Sequence, residues 1–442
     1  MLFDNKSLRA LLIPLVIEQV LTGLMGIADT LMVSNIGEAA VSGVALVDSI
    51  NLLFIYFFSA LATGGTIVCA QYIGHDDEAG AGRAAHQTVL SSVLLALALC
   101  ILLALARRPL LKLIFGSVEP AVMDAAVVYM LITVLSYPFL ALYTASAALY
   151  RALGDSRRPM IVAAVADGLN ILGNAVLIFV CGLGVAGAAI ATLASRIFSA
   201  AVMLYFQRRP GQTISLGGIG DLKPDGVMIR RLLRIGLPNA VENGMFQFGK
   251  LMVQSTVSIL GTTAIAAQAV VATLEMFGSM PAMAIGTGLL TVAGQCIGRG
   301  RTDEARRYIK RFTGISEIVV LITGVLLSAG VPFLVKLTAL SDEGARLTCR
   351  LIWFTCAMKL LLWPGAFTKP NGLRAAGDVA FAMWVSTVSM WVFRVGLSWW
   401  LCRYTAVGLW GVWIGWCTDW LIRNICFGLR FRGDHWLTHS VL

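Results

Sequence analysis

Charged residues are scarce in this sequence. Aspartate, glutamate, lysine and arginine make up 13% of its 442 residues, whereas a soluble globular protein usually carries about 25%. They are also clustered, which leaves long and nearly uncharged runs such as 50–74, 125–150 and 251–298. Because about 20 mostly apolar residues are enough to cross a bilayer, the composition excludes an ordinary soluble protein. It predicts an α-helical protein that crosses a membrane many times.

Motifs of enzymes and metal proteins are missing as well. No C-x-x-C pair occurs among the nine cysteines, so we expect neither disulfides nor a metal site. No G-x-x-x-x-G-K-[ST] sequence is present to bind nucleotide phosphates. The nearest approach to the paired aspartates of a membrane transferase is the stretch 75–78, which has the composition of a loop. We therefore expect a protein that is not an enzyme and that has no cofactor.

The apolar segments divide the chain into twelve predicted spans. They lie roughly at 8–33, 40–71, 84–106, 123–149, 159–180, 185–206, 232–258, 264–297, 312–337, 344–369, 379–401 and 406–429. The longest polar break between them, 207–231, is rich in glycine and proline, which indicates a linker. The sequence therefore predicts an N-terminal six-helix bundle over 1–206, a cytoplasmic linker over 207–231 and a C-terminal six-helix bundle over 232–442.

Basic residues orient the predicted spans. The formal net charge is +10, which in a soluble protein would indicate a nucleic-acid partner. In a membrane protein, however, basic residues concentrate in cytoplasmic loops. With a cytoplasmic N-terminus, the inner loops and the tail hold Arg151, Arg157, Arg158, Arg208, Arg209, Lys223, Arg230, Arg231, Arg299, Arg301, Arg306, Arg307, Lys310, Arg311, Arg430 and Arg432. The outer loops and adjoining helix ends hold only Arg107, Arg108, Lys112, Lys336, Arg346, Arg350 and Arg403. We therefore expect a multi-pass protein of the plasma (inner) membrane, with both termini cytoplasmic, lipid as a partner and no nucleic acid.

The two halves of the chain repeat each other at an offset of 224 residues. Matching pairs at this offset are Pro14 with Pro238, Glu18 with Glu242, Gly37 with Gly261, Gln71 with Gln295 and Gly184 with Gly408. With a gap of one residue, the stretch 151–155 (RALGD) matches 374–378 (RAAGD). Six spans per half is an even number, so both halves begin on the same side of the membrane and form a parallel repeat. Transporters built in this way bind substrate between their halves, and without a nucleotide site the energy comes from an ion gradient or the transport is passive.

Several of these stretches resemble the multidrug and toxic compound extrusion (MATE) family of transporters. They are 14–19 (PLVIEQ), 28–30 (ADT), 37–41 (GEAAV), 70–74 (AQYIG), 151–155, 184–192 (GVAGAAIAT), 294–298 (GQCIG) and 374–378. The resemblance covers nearly the whole chain. It implies an all-α membrane protein with twelve transmembrane helices in two six-helix bundles around a central cavity. It also implies export of small organic molecules, often cations, in exchange for H⁺ or Na⁺. We expect the protein to be a monomer.

The resemblance also points to residues of an ion-coupling site. The family's first-helix aspartate matches Asp29, and its seventh-helix glutamate matches Glu242. Its fifth-helix Asn-x-x-x-Asp pattern matches Asn170 and Asn174, so an asparagine replaces the aspartate here, which favours H⁺ over Na⁺. The tenth-helix aspartate of one sodium-coupled branch has no counterpart between 343 and 378.

Charged and polar residues inside the spans are the other candidates, because a charge in the bilayer is costly and must face a cavity or a partner. Glu18 lies eleven residues before Asp29, about three helical turns away on one face. A carboxyl group removed from water is easier to protonate, so either could carry a coupled proton. We predict ion coupling by Asp29, Glu18, Asn170, Asn174 and Glu242. The alternative for each is a structural hydrogen bond between helices, which we favour for Asp48 and Asp419.

The seventh predicted span carries a stripe of polar residues that indicates a water-filled lining. We predict a substrate cavity lined by Asn239, Asn243, Gln247, Lys250, Gln254 and Glu275. Lys250 leaves two possibilities open. If Glu242 or Glu275 neutralises it, the cavity accepts cations, with Asp29 as its anionic pole. If neither does, the wall is basic and favours zwitterions or anions.

A second function is compatible with the same fold. Flippases of lipid-linked oligosaccharides or lipids share this broader architecture, but they often have extra helices and a strongly basic cavity. The sequence is therefore interpreted as a secondary-active antiporter for drugs or metabolites, with a flippase as the alternative.

Overall fold

The computed structural model describes residues 2–116, 118–209, 223–338 and 340–438, apart from the side chain of Leu337. Every regular element in these ranges is a helix. The middle of the predicted linker, 210–222, lies outside the described residues.

Fifteen α-helices follow one another in the described residues. They are α1 (Asn5–Ser34), α2 (Glu38–Gly74), α3 (Glu78–Phe115), α4 (Pro120–Leu135), α5 (Tyr137–Ala152), α6 (Arg157–Asn174), α7 (Gly184–Gln207), α8 (Gly226–Ser258), α9 (Thr262–Gly298), α10 (Thr302–Leu334), α11 (Asp342–Trp363), α12 (Pro370–Ala375), α13 (Val379–Ser389), α14 (Ser398–Tyr404) and α15 (Trp410–Arg430). π-Helical turns continue α6 over Ala175–Val180, join α11 to α12 over Pro364–Thr368 and join α13 to α14 over Met390–Leu397. Short 3₁₀ turns lie at Val335–Leu337 and His435–Leu437.

These helices account for all twelve predicted spans. Among the described residues, nine helical segments are long and apolar enough to cross a membrane, and α4 with α5 makes a tenth. The remaining two spans are α8, with 33 residues, and α15, with 21. Both helices are long enough to cross a membrane, but each contains charged residues, such as Lys250 in α8 and Asp419 in α15. The protein is therefore an all-α membrane protein whose least apolar spans are α8 and α15.

One predicted span is broken in two. The predicted span 123–149 is confirmed, but it consists of two helices, since α4 and α5 meet at Ser136 with a bend of 45°. The physical cause is Pro138, which has no backbone N–H and disfavours helical backbone before it. The Ser136 hydroxyl lies at the bend and accepts a hydrogen bond of 2.6 Å from Arg196 on α7. The bend thus holds a charged side chain inside the bundle.

The repeat found in the sequence recurs in the backbone. Gly154, after α5, has φ 87° and Gly377, after α12, has φ 89°. This left-handed conformation is open to glycine and strained for other residues. The turns are equivalent in their hydrogen bonds too, since Asp155 N donates to Tyr150 O over 2.9 Å and Asp378 N to Leu373 O over 3.0 Å.

The chain forms two compact units. We call Lys6–Ala240 the first unit, and Val241–Leu442 with Met1–Asn5 the second unit. The start of α8 belongs to the first unit because Gln87 binds the backbone before it, donating to Lys223 O over 2.7 Å. Further along α8, a β-carbon on Gly64 would lie only 2.9 Å from Leu232 O, so glycine permits a close approach of α2 and α8. The bundle limits at 206 and 232 stay a prediction.

Each unit has its own apolar core. In the first, buried side chains such as Val47, Met130 and Tyr137 pack between α2, α4 and α5. In the second, Trp413 and Trp420 of α15 pack against α9 and α11, and the Trp413 indole N–H donates to Gln268 Oε1 over 2.9 Å. The outward faces carry exposed apolar side chains, as expected for contact with lipid.

Candidate functional site

A carboxylate and two amides meet within the first unit. Asp29 on α1 is half-buried, and its Oδ1 accepts a hydrogen bond from the Asn174 amide on α6. The Asn170 amide, one turn earlier, fits best with its nitrogen turned towards Asp29, where it donates to the same oxygen over 2.9 Å and accepts from the Thr192 hydroxyl on α7 over 3.2 Å. In the opposite orientation it accepts from Asn174 over 3.1 Å and donates to the Thr192 hydroxyl over 3.2 Å. Asn170 is 0% exposed and Asn174 is 1% exposed. The structure thus brings three of the predicted coupling residues together, and it adds Thr192.

The backbone of α6 changes character directly after this cluster. A π-helical turn begins at Ala175, and Cys181 N donates to Val176 O over 2.9 Å. Such turns are frequent at functional sites. A β-carbon on Gly173 would lie 3.0 Å from the β-carbon of Ala191. The close approach of α6 and α7 at this glycine places Thr192 beside Asn170.

Two buried oxygen atoms on α6, one of them in this cluster, have no hydrogen-bond partner among the described residues. Asn174 Oδ1 and Asp167 Oδ2 are buried, and neither is bonded within the described part of the chain. Buried polar atoms in folded proteins are nearly always bonded. The cluster around Asp29 therefore has an unused acceptor, Asn174 Oδ1, that a proton or a cation could satisfy. We call Asp29, Asn170, Asn174 and Thr192 the Asp29 cluster.

The two glutamates predicted for ion coupling occupy equivalent ion pairs. Glu18 Oε1 lies 2.5 Å from Arg151 Nη2 in the first unit. In the second unit, Arg374 Nη2 donates to both Glu242 oxygens, over 2.7 and 2.8 Å. The sequence showed the repeat of all four residues but not that they pair. Their position favours a structural role for both glutamates, and their part in coupling stays a prediction.

The aspartates of the two RA-x-GD stretches differ in their contacts. Asp155 begins α6, since its Oδ1 accepts from Arg157 N over 3.0 Å and from Arg158 N over 3.2 Å. This is the usual bond of a helix-capping carboxylate. Asp378 makes no such capping bond to α13 and instead pairs with Arg430 Nε at 2.8 Å. Asp378 thus forms an ion pair with an arginine at the end of α15, whereas Asp155 caps the helix that follows it.

A second polar network in the first unit was not evident in the sequence. Asp48 Oδ1 accepts from Asn51 over 3.1 Å and from the Tyr129 hydroxyl over 3.3 Å. The Tyr137 hydroxyl continues the network by donating to Asn51 Oδ1 over 2.7 Å. Asp48 thus has the structural partners expected of it. The tyrosines were missed because an aromatic residue in an apolar run is usually a packing residue.

The polar stripe of α8 crosses from one unit into the other. Asn239 lies in the first unit, and Asn243, Gln247, Lys250 and Gln254 lie in the second. Lys250 and Gln254 are exposed, and Gln247 is half-buried. The structure confirms that α8 carries these residues on one helix, and their role as a substrate lining stays a prediction.

Glu275, the last residue predicted for the substrate cavity, forms an ion pair with Lys359. The Lys359 ammonium is 3.0 Å from Glu275 Oε1 and 3.0 Å from the Glu275 carbonyl, and it donates to Ser279 Oγ over 2.5 Å. The Lys359 side chain is 4% exposed. Its charge is therefore balanced within the second unit by groups on α9.

The most deeply buried charges of the second unit form a triad. Asp419 on α15 is 0% exposed and lies 2.8 Å from Arg394 Nη2 and 2.7 Å from Arg423 Nε. Ser389 also donates to Asp419 Oδ1 over 2.7 Å. The prediction that Asp419 is structural agrees with these contacts. With two arginines for one aspartate, the triad has a net positive charge.

Comparison with known proteins gives one consistent result. A family model, MatE, matches residues 14–176 and 238–400. These two ranges are offset by 224 residues, which is the offset of the internal repeat. An uncharacterized transporter of Bacillus subtilis, YisQ, is 29% identical over 98% of this chain and 95% of its own length. The probable multidrug resistance protein NorM of Thermotoga maritima is 27% identical over 99% of this chain and 94% of its own length.

Solved structures share the fold. One of them, described as an outward-facing conformation of a multidrug resistance MATE family transporter, is 21% identical and has a TM-score of 0.92. The match covers 98% of this chain and 96% of that one. At this level of identity the likeness extends to the arrangement of helices and no further.

Proposed function

Because this chain belongs to the MatE family, we propose that it is a secondary-active antiporter, which exports small organic molecules in exchange for protons. Relatives that align over nearly its whole length bear the names of multidrug resistance proteins. No nucleotide-binding motif is present in the sequence. An ion gradient is then the energy source. The coupled ion needs a binding site inside the protein, and the charge of that site changes when the ion binds.

The Asp29 cluster is the observation that carries this proposal. Asp29 is the carboxylate of the cluster, and both amides donate to its Oδ1. Two donated hydrogen bonds stabilise the ionised form of a carboxylate. When a proton arrives, the carboxyl needs an acceptor instead, and Asn174 Oδ1 is unbonded within the described residues. A half-turn of one amide therefore adapts the cluster to either state.

The same geometry favours H⁺ over Na⁺. A sodium ion needs several oxygen ligands, and here both amides turn nitrogen towards the Asp29 carboxylate. Binding Na⁺ would require both amides to rotate, whereas the Thr192 hydroxyl can bond Asn170 in either orientation. A proton requires one rotation. Asparagine in place of aspartate at 174 also removes the second negative charge that would attract a metal cation.

The direct test is transport by the purified protein in proteoliposomes. We expect an imposed inward proton gradient to drive movement of an organic dye in the opposite direction, and a sodium gradient at equal pH on both sides to have no effect. Movement that follows the sodium gradient alone would refute proton coupling. Transfer of a fluorescent lipid between leaflets without any dye transport would favour the flippase.

The proposed orientation can be tested with a cysteine already present. Cys181, in the turn between α6 and α7, is exposed. If both termini are cytoplasmic, this turn faces outwards, and a membrane-impermeant maleimide should label Cys181 in intact cells. Cys181→Ser should lose that label. In the same background, Arg432→Cys should react only after the membrane is permeabilised, and labelling of Arg432→Cys in intact cells would reverse the topology.

A further inference from the structure

We propose that α8 of the second unit binds the carboxylate of an organic anion or zwitterion at Lys250, beside the ring of Phe246. This inference rests on the proposed transport function and narrows its substrate class. It rests on two observations. The acids that could neutralise Lys250 are paired with other bases, and Lys250 lies on the side of α8 opposite exposed apolar residues of that helix.

The two acids that could neutralise Lys250 are both paired with other bases. Both Glu242 oxygens accept from Arg374, over 2.7 and 2.8 Å. Glu275 Oε1 lies 3.0 Å from Lys359 and also accepts from Ser279. Among the described residues, no carboxylate lies within ion-pairing distance of Lys250. Of the two possibilities left open by the sequence, the basic wall is the one that these distances support.

A second cation reinforces the charge of Lys250. Both cations lie near the Phe246 ring, with Lys250 Nζ 5.0 Å and Arg394 Cζ 5.1 Å from its centroid. Arg394 is 2% exposed and shares Asp419 with Arg423, so this triad does not offset the lysine. Arg394 Nε is buried and has no hydrogen-bond partner in the described chain. The surroundings of Phe246 therefore carry excess positive charge.

The helix itself separates Lys250 from the lipid. At 100° per residue, the exposed apolar residues Val241, Phe248 and Met252 lie within about 20° of the side opposite Lys250, and they are 46%, 53% and 45% exposed. That apolar side is suited to lipid. Lys250 and Gln254 are exposed on the other side, where Asn243 and Gln247 lie too. A polar, exposed face that points away from the lipid face is suited to water and to a polar ligand.

The chemistry of this face selects the ligand. An ammonium group binds a carboxylate as a point charge, and the half-buried Gln247 amide one turn earlier can donate a hydrogen bond. The ring of Phe246 adds an apolar surface for the body of the ligand. A simple organic cation would be repelled by Lys250 and by the triad. A ligand that carries a carboxylate, either as an anion or as a zwitterion, would instead be attracted to Lys250.

The test compares two dyes of opposite charge. Proteoliposomes with an imposed proton gradient are loaded with carboxyfluorescein or with ethidium, and binding of carboxyfluorescein to the detergent-purified protein is measured in parallel. We expect Lys250→Ala to lower anion transport and anion affinity about tenfold, the loss of one charge-assisted contact, and to raise transport of the cation. Lys250→Arg should retain most of the anion transport. Lys336→Ala, at an exposed lysine on a short turn, is the matched control and should change neither dye.

The outcomes separate this inference from the proposed function. If Lys250→Ala lowers cation export while carboxyfluorescein binds and moves as before, or changes neither dye, the carboxylate site is refuted although transport stands. If the unaltered protein transports neither dye but binds carboxyfluorescein through Lys250, the site stands and the transport function fails. Absence of carboxyfluorescein binding to the unaltered protein refutes the site.

Discussion

Replacing Asp29 with asparagine will abolish proton-driven efflux while leaving the protein folded and inserted. Asparagine has nearly the same shape, and its oxygen can still accept from the Asn170 and Asn174 amides that now bond Asp29 Oδ1. What it cannot do is bind and release a proton. The expected rate of dye efflux in proteoliposomes under a proton gradient is that of empty liposomes.

The control for this experiment is a second intramembrane aspartate. Asp48→Asn keeps the oxygen that accepts from Asn51 and Tyr129, and it lies outside the Asp29 cluster. We expect this variant to retain gradient-driven efflux at equal expression. Normal efflux by Asp29→Asn, under conditions where the protein without substitution is fully active, would exclude Asp29 as the coupling carboxylate.

The largest loss of stability is expected from Asp419→Leu. The substitution leaves Arg394 and Arg423, which are 2% and 3% exposed, buried without a counter-charge. Breaking a buried pair in this way typically costs about 3–5 kcal/mol, which is a large part of the stability of a typical domain. We expect a sharply lowered melting temperature in detergent, followed by tryptophan fluorescence, or failure to accumulate in the membrane.

Two further variants show whether charge or shape is responsible. The triple change Asp419→Leu, Arg394→Met and Arg423→Met removes all three charges, and we expect it to recover most of the lost stability. Asp434→Asn is the surface control, because the Asp434 side chain is 88% exposed although it pairs with Arg306. Its melting temperature should not change. A single Asp419→Leu variant as stable as the original protein would show that the buried arginines need no counter-ion.

Local composition was enough to predict the main features of the fold. Apolar segment lengths gave the twelve spans, and the offset of 224 residues gave the repeat that the family match later reproduced. Breaks within spans were harder to predict. The bend at Ser136 had a local signal in Pro138, but an unbroken apolar run concealed it. The π-helical turn after Asn174 depends on the packing of α6 against α7, which local sequence does not encode.

The candidate site was predictable where the family resemblance supplied its residues. Asp29, Asn170 and Asn174 come together as expected, whereas Thr192 is a single threonine in an alanine-rich helix and gave no signal of its own. Ion pairs were the main gap. Glu18 and Arg151 are 133 residues apart in the chain, and only tertiary structure brings them into contact. For the same reason, the sequence alone left the charge state around Lys250 open.

The long separation of these paired charges has a consequence for how the protein is made. Glu18 enters the membrane early in synthesis, and Arg151 is translated 133 residues later, at the end of α5. In the same way, Arg374 is translated 132 residues after its partner Glu242. Until then each glutamate is an uncompensated charge in a partly assembled bundle, or it carries a proton. Each half therefore cannot reach its final packing before its fourth span has been inserted, and arrest of the ribosome before Arg151 would leave α1 loosely held and open to proteolysis.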